Sequence, residues 1–273
     1  MFLLAKKSLG QHFLNSRHVL GQIIEAAQIK GGETVLEIGP GTGVLTDALL
    51  NSKAKVIAVE KDPRAIQLLK DKFAGNCHEF SAGQFKVNDM NSELSILSED
   101  ILKLNRHLIG LEERSFAVVA NIPYYITGMI LQSFLEYSPR PDRMILLVQR
   151  EVAERIIARD GKESLLSISV KAFGTPSIMA KVPPGAFTPP PTVHSAILAI
   201  RDISDKLFSE NKIDIQRFFE IVRAGFAHKR KVLIRNLETV IEPDRLKEIW
   251  AEHSFDVKVR AEDLKLEQWL AIA

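Results

Sequence analysis

The sequence predicts an α/β chain, a mainly parallel sheet covered by helices on both faces, followed by a small all-helical segment. Short β-branched runs alternate with helix-period stretches from Thr34 to about Val148. Those runs are apolar enough to lie in the centre of a sheet, and beyond residue 204 the helical period continues alone.

The elements follow in order. TVLEI (34–38) leads into TGVLTDALLNS, KVIAVE (55–60) into PRAIQLLKDKF, FAVVAN (116–121) into ITGMILQSFLEY, and RMILLV (143–148) into QREVAERIIAR, with LSILS (94–98) between them. Strands separated by helices pair in parallel, because the crossover returns the chain to the same end of the sheet. SAILAIR (195–201), after the proline-rich VPPGAFTPPPTV, is expected to close the sheet as a late edge strand. AGNCHEFSAGQFKVNDMNSE (74–93) is polar and weakly periodic, and reads as a long surface loop or small insertion. After RDISDK come IDIQRFFEIVRAGF, KRKVLIRNLETV, PDRLKEIWAEH and AEDLKLEQWLAI, all helical in period. The expected domains are therefore 1–204, with an amino-terminal arm and helix in 1–30, and 205–273.

With 273 residues, 46% of them hydrophobic, the chain can bury a large core and a small appendage. No run approaches the roughly 18 apolar residues of a membrane span, and the start MFLLAKKSLGQHF is unlike a signal peptide, so a cytoplasmic protein is expected. Cys77 stands alone, which excludes an intramolecular disulfide and a thiolate metal cluster, and no metal site is expected. The net charge of +2 says little, but its distribution says more. Between Glu220 and Glu238 there is no acid, while Arg223, His228, Lys229, Arg230, Lys231 and Arg235 fall there. By itself this is equally a solvated helix face or a polyanion-binding patch.

The first strand runs into EIGPGTG, with glycines at 39, 41 and 43 before a helix. Such a turn brings a ligand close to bare backbone at a helix amino end. A dinucleotide site would carry a third glycine where Thr46 stands, so a diphosphate is disfavoured. Glu60 ends the second strand, where a carboxylate can take both ribose hydroxyls. Asp100 follows LSILS and is placed to accept from an adenine amino group, with Asp89 in VNDM as the competing choice. Together these point to a nucleoside ligand.

NIPYY (121–125) leaves a buried strand at its carboxyl end, where open α/β sheets bind ligands. Pro123 fixes the backbone so that the Asn121 side-chain oxygen and the Ile122 carbonyl converge, two acceptors suited to an exocyclic NH2. Accepting both hydrogens draws that nitrogen toward tetrahedral geometry and frees its lone pair for attack. Tyr124 can stack on the base, a contact contributing about 1–3 kcal/mol.

GQHFL (10–14), EIGPGTG (37–43), VEKD (59–62), NIPYYIT (121–127), VQREVAERI (148–156), PPGAFTPPPTVHSA (183–196) and KRKVLIRNL (229–237) together resemble the ribosomal RNA adenine dimethyltransferases, and within them the bacterial small-subunit (KsgA-type) branch. The resemblance implies a Rossmann-like class I methyltransferase fold with a mainly parallel seven-stranded sheet, and S-adenosylmethionine as methyl donor. It implies His12 and Leu14 beside the cofactor, Gly39 under its methionine part, Gly41 and Gly43 also binding it, Glu60 on its ribose, Asp100 at its adenine and Asn121 beside the transferring methyl. Asn121, Ile122, Pro123 and Tyr124 would orient the target base and Phe187 would cover its other face. Lys229, Arg230, Lys231 and Arg235 would hold RNA phosphates. The implied substrate is two adjacent adenines in the 3′-terminal hairpin loop of small-subunit RNA within a 30S precursor, met by a monomer away from membranes. The rival readings are a large-subunit adenine methylase of the macrolide-resistance type, a non-catalytic ribosome assembly factor and a DNA adenine methylase.

Overall fold

The computed structural model describes residues 4–6, 10–80 and 93–273. Strand β1 (Phe13–Leu14) and helix α1 (Arg17–Ala27) come first, then β2 (Thr34–Ile38), α2 (Val44–Asn51), β3 (Lys55–Glu60) and α3 (Pro63–Lys72). Next are β4 (Cys77–Phe80), β5 (Leu94–Ser98), β6 (Phe116–Asn121), α4 (Thr127–Glu136), β7 (Arg143–Gln149) and α5 (Arg150–Ile156). The chain continues through α6 (Leu165–Lys171), β8 (Thr175–Val182), β9 (Phe187–Thr188) and β10 (Ser195–Arg201). It ends in α7 (Lys206–Asn211), α8 (Ile215–Phe226), α9 (Leu233–Leu237), α10 (Pro243–Glu252) and α11 (Leu266–Ile272). Two compact units result: Met1–Ala153 with Ser177–Ile203, and Glu154–Pro176 with Ser204–Ala273. A single cut at residue 204 leaves Glu154–Pro176 with the first unit, whereas the fold groups it with the second.

In the first unit, among the described residues, eight strands form one sheet in the order β4-β5-β3-β2-β6-β7-β10-β8. That is one strand more than the seven expected. β4 lies inside the stretch read as a loop, and β8 (TPSIMAKV) carries a proline and a lysine. Both are outermost strands, which need only one apolar face and tolerate proline. SAILAIR is not the edge strand expected: β10 is buried along six of its seven residues and pairs antiparallel with β7 from Ser195↔Gln149 to Ile200↔Met144. Its burial explains its unbroken apolar run.

β2 pairs in parallel with β3 on one side and β6 on the other, so successive connections leave it in opposite directions. Such a reversal opens a crevice at the carboxyl ends of the strands. Val35, Val56, Ala58, Val119 and Leu147 pack beneath it as a core with the buried stripe Val19, Leu20 and Ile23 of α1. Each large apolar side chain so buried contributes about 1.5–3 kcal/mol. Ser16 caps α1 and Asp62 caps α3, where Pro63 occupies the first turn and Lys70 and Lys72 the last, as a helix dipole favours.

In the second unit Phe173, Phe208, Phe218 and Phe219 form one ring cluster, with Phe218 and Phe219 edge to face at 5.0 Å. The buried Glu163 carboxylate takes Lys171 Nζ at 2.8 Å and Lys265 Nζ at 3.5 Å, which joins α6 to the carboxyl-terminal helices. Gly225 in α8 lies against the fully buried Trp269: a Cβ there would sit 2.3 Å from Cη2 of the indole. Helix propensity alone favours alanine at this position by about 0.5–1 kcal/mol. Overpacking, at about 1–3 kcal/mol, outweighs it. Gly225→Ala is therefore expected to lower the thermal midpoint by several degrees, and an unchanged melt would refute this packing.

Candidate active site

The carboxyl ends of β2, β3, β5 and β6 and the amino-terminal arm enclose a cleft of about 770 Å³, solvent at its mouth included. Lining it are His12 and Phe13 of the arm, Gly39 and Gly41, Glu60, Asp100, and Asn121 to Tyr124. Most of the residues singled out from the sequence thus meet in one place.

Gly39 and Gly41 have φ of +65° and +56°, the left-handed region that favours glycine. A Cβ on Gly39 would meet nothing within 4 Å, so the turn leaves open space at the cleft, while one on Gly41 would touch the Phe13 ring at 3.0 Å. Glu60 braces this turn. Its Oε1 accepts from the N–H groups of Lys61 and Asp62 at 2.9 Å each, and its Oε2 from Gly41 N–H at 3.3 Å. Burial pushes its carboxyl above the ordinary range despite those three donors. Asp62 behaves oppositely: hydrogen bonds from Arg64 hold it down to about 2, and Gln11 Nε2 donates to it at 3.2 Å, tying the arm to the start of α3.

Asn121 ends β6, and its Nδ2 donates to the main-chain carbonyl of His12 at 2.9 Å. A carbonyl only accepts, so the amide nitrogen must face the arm, leaving Oδ1 as the remaining acceptor. Tyr124 opens a single 3-10 turn, Tyr124–Ile126, and its hydroxyl shares a hydrogen bond with Ser195 Oγ at 2.6 Å. Burial raises the phenol's pKa. The His12 ring lies nearly parallel to Tyr124, centroids 6.0 Å apart and planes 19° apart, with its Nδ1 2.8 Å from the Pro189 carbonyl.

Other expected residues fall elsewhere. Leu14 borders a smaller adjoining space of about 300 Å³ rather than the main cleft. Gly43, φ +69°, caps α2, and a Cβ there would run into Leu69 at 2.7 Å, so helix packing is what requires glycine. Phe187 is 2% exposed in β9, paired with Leu14 of β1, and does not line the cleft. Its packing is that of an anchor for the proline-rich loop. Asp100 lines the cleft, with Lys61 Nζ 3.6 Å from its Oδ2, whereas Asp89 lies outside the described residues. Gln11, Phe13, Lys61 and Ile101 also border the cleft and were not foreseen. Gln11 and Phe13 lie within GQHFL, whose run of amide and aromatic residues ahead of the first helix was their only signal.

The sequence matches the ribosomal RNA adenine dimethylase family over residues 3–273. The chain belongs to this family. It is 39% identical over 269 residues to the ribosomal RNA small subunit methyltransferase A of Dehalococcoides mccartyi, covering 98% of this chain and 87% of that one. The crystal structure of a dimethyladenosine transferase from Plasmodium falciparum matches at 26% identity and TM-score 0.72 over 96% of each chain. That of the 23S rRNA methyltransferase ErmE, 24% identical with TM-score 0.69 over 95% and 97%, shares the fold. The class I methyltransferase fold expected from the motifs is thus present.

Glu37, in β2 just before the glycine turn, was not anticipated. It is 1% exposed and borders the smaller space, with Thr46 beside its carboxyl but no hydrogen bond of good geometry to either oxygen. Burial pushes its pKa up to about 8. The sign of the pH effect follows. The folded carboxyl holds its proton from about 4.5 to about 8 while the unfolded one ionises, so its contribution is full below 4.5 and is lost as pH rises through about 8. Glu37→Gln is expected to raise the thermal midpoint at pH 8, with the gain shrinking toward pH 5. A gain independent of pH would contradict it.

In the second unit His228, Lys229, Arg230 and Lys231 are all exposed in the turn between α8 and α9. Asn236 Nδ2 closes that turn by donating to the carbonyls of Gly225 at 2.7 Å and His228 at 3.2 Å. Arg235 differs from its neighbours, being paired with Glu238 at 3.1 Å. Among the described residues no cluster of metal-ligating side chains occurs, and no helix is long and apolar enough to cross a membrane.

Proposed function

We propose that this chain transfers methyl groups from S-adenosylmethionine to the N6 amines of adenines in small-subunit ribosomal RNA, dimethylating each. The observation that carries the reading is Asn121: its amide is turned by the His12 carbonyl so that an oxygen is left to accept, in the same cleft that Tyr124 lines. An acceptor there takes hydrogen bonds from a purine amine, withdraws its lone pair from the ring and orients it for in-line attack. Tyr124, fixed through Ser195, supports the base by stacking.

The cleft fits the cofactor. Gly39 and Gly41 offer bare backbone, with open space at the Gly39 Cβ position, Glu60 a carboxylate for ribose hydroxyls and Asp100 an acceptor for the adenine amine. His12 contributes through its main chain and Leu14 closes the inner side. When bound, the cofactor supplies a methyl already activated on a sulfonium. The chain's own residues then position the amine and exclude water, and no strong base is required.

Lys229, Arg230 and Lys231, with Arg235 more weakly because of Glu238, bind phosphates, and affinity falls steeply with salt. The substrate we assign is the pair of adjacent adenines in the 3′-terminal hairpin loop, within a 30S precursor in the cytoplasm, met by a monomer. Incubation with labelled cofactor and each ribosomal subunit, taken from cells lacking the modification, tests this. Label on adjacent adenines of the small subunit is expected. Label only on the large subunit, or none, would overturn it.

A further inference from the structure

Asp62 is 2% exposed and does not line the cleft, yet four N–H groups converge on its carboxylate. We propose that Asp62 is a positioning residue for methyl transfer: through Gln11 it anchors the amino-terminal arm at the place from which the His12 carbonyl turns the Asn121 amide. This rests on the reading of Asn121 as the acceptor for the substrate amine.

The bonds run in one line from α3 to the cleft. Arg64 grips the carboxylate as a fork, Nε on Oδ1 at 3.0 Å and Nη2 on Oδ2 at 2.6 Å, and its Nη1 donates to the Leu4 carbonyl of the arm at 3.1 Å. Gln11 Nε2 donates to Oδ2 at 3.2 Å, while Gln11 Oε1 accepts from the Lys6 N–H at 2.9 Å. An ionised carboxylate only accepts and a main-chain N–H only donates, so the Gln11 amide has one orientation. The next residue is His12, whose carbonyl takes Asn121 Nδ2 at 2.9 Å. Adjacent Cα atoms are about 3.8 Å apart, so the seat of Gln11 limits where that carbonyl can stand. Among the described residues the carbonyl is the only hydrogen-bond partner of the Asn121 amide. With the arm displaced the amide is free to flip, and a flipped amide offers N–H groups to an amine that needs an acceptor. Capping α3 accounts for the bond from the Arg64 N–H and for none of the others. The Asp62 N–H also donates to Glu60 Oε1 at 2.9 Å, so the arm and the ribose carboxylate share one support.

A polarity swap tests the anchor. Asp62→Asn keeps an oxygen for the cap of α3 but turns an N–H toward Gln11 Nε2, and Gln11→Glu sets a second carboxylate against the first. The double variant pairs the new amide with the new carboxylate and restores the bond with donor and acceptor exchanged. For all three, kcat and KM for methyl transfer to unmodified small subunits, cofactor affinity by calorimetry and the melting midpoint are measured. Each single variant is expected to lower kcat and cofactor affinity about tenfold, with KM for subunits near wild type. The double variant is expected to recover both to within a few-fold. Should Asp62→Asn not fold, Gln11→Glu against the double variant reads the same recovery. Wild-type kcat in the single variants would overturn the anchor. So would losses that multiply in the double variant, which would assign separate local roles to the cap and the cleft wall, or losses of kcat that follow the melting midpoint. Failure of the wild type itself to methylate adenine would sink the reading of Asn121, while recovery of cofactor affinity in the double variant would still report the anchor.

Discussion

Asn121→Ala is expected to bind S-adenosylmethionine within a few-fold of the wild type and to transfer almost no methyl. The side chain contributes two bonds with separate tasks: Nδ2 to the His12 carbonyl at 2.9 Å, and Oδ1 left for the substrate amine. Alanine removes both. Deleting one preorganised hydrogen-bonding group from an active site typically costs about 10²–10³ in kcat, and here the lost acceptor also activates the nucleophile. Asn121→Asp separates the two tasks. It keeps oxygens for the amine but sets a carboxylate against the His12 carbonyl, a repulsion that alanine lacks, so it is expected to loosen the arm and weaken cofactor binding in addition. Single-turnover transfer and calorimetric titration read both effects. Normal turnover by Asn121→Ala would remove the residue from the mechanism.

The second large effect is expected at Glu60. Its carboxylate accepts from three backbone N–H groups while almost wholly buried, and burial alone would push it toward the neutral form. Glu60→Gln keeps the shape but replaces one acceptor oxygen by a donor, which faces either a backbone N–H or the ribose. Hydrogen bonds to a charged acceptor are worth about 1.5–3 kcal/mol each, so losing one corresponds to roughly 10–10²-fold in cofactor affinity. The dissociation constant is expected to rise by that factor, with the far-ultraviolet circular dichroism unchanged. An unchanged constant would place the ribose elsewhere in the cleft.

The centre of the fold was legible because β2, β3, β5, β6 and β7 are covered on both faces, and such strands are written as unbroken apolar runs. The edges were not. CHEF and TPSIMAKV have no run and no strict alternation, since an outermost strand meets weaker demands. The same one-sided logic misplaced SAILAIR at the rim. In the cleft, Gly39, Glu60, Asp100 and Asn121 were readable because each stands at the end of a strand of known direction. The partner of Tyr124 was not, because His12 and Pro189 approach from opposite ends of the chain through a two-residue ribbon too short to leave a pattern. Glu37 did carry a signal: a carboxylate inside an otherwise apolar buried strand, TVLEI, is an ionisable group that water cannot reach.

The ribbon of β1 and β9 has a bearing on how the chain matures. Phe13 meets Thr188, and Asn15 N–H is bonded to the Ala186 carbonyl at 2.9 Å, so the first-made segment waits for a stretch translated much later. At ribosomal speeds of about 5–20 residues per second that delay is on the order of ten seconds or more, during which β2 and β3 can already pair. The nascent polypeptide therefore holds a half-built nucleoside crevice with its front wall missing. The cleft gains its wall only once residues 186–189 have been made and have reached back to the arm.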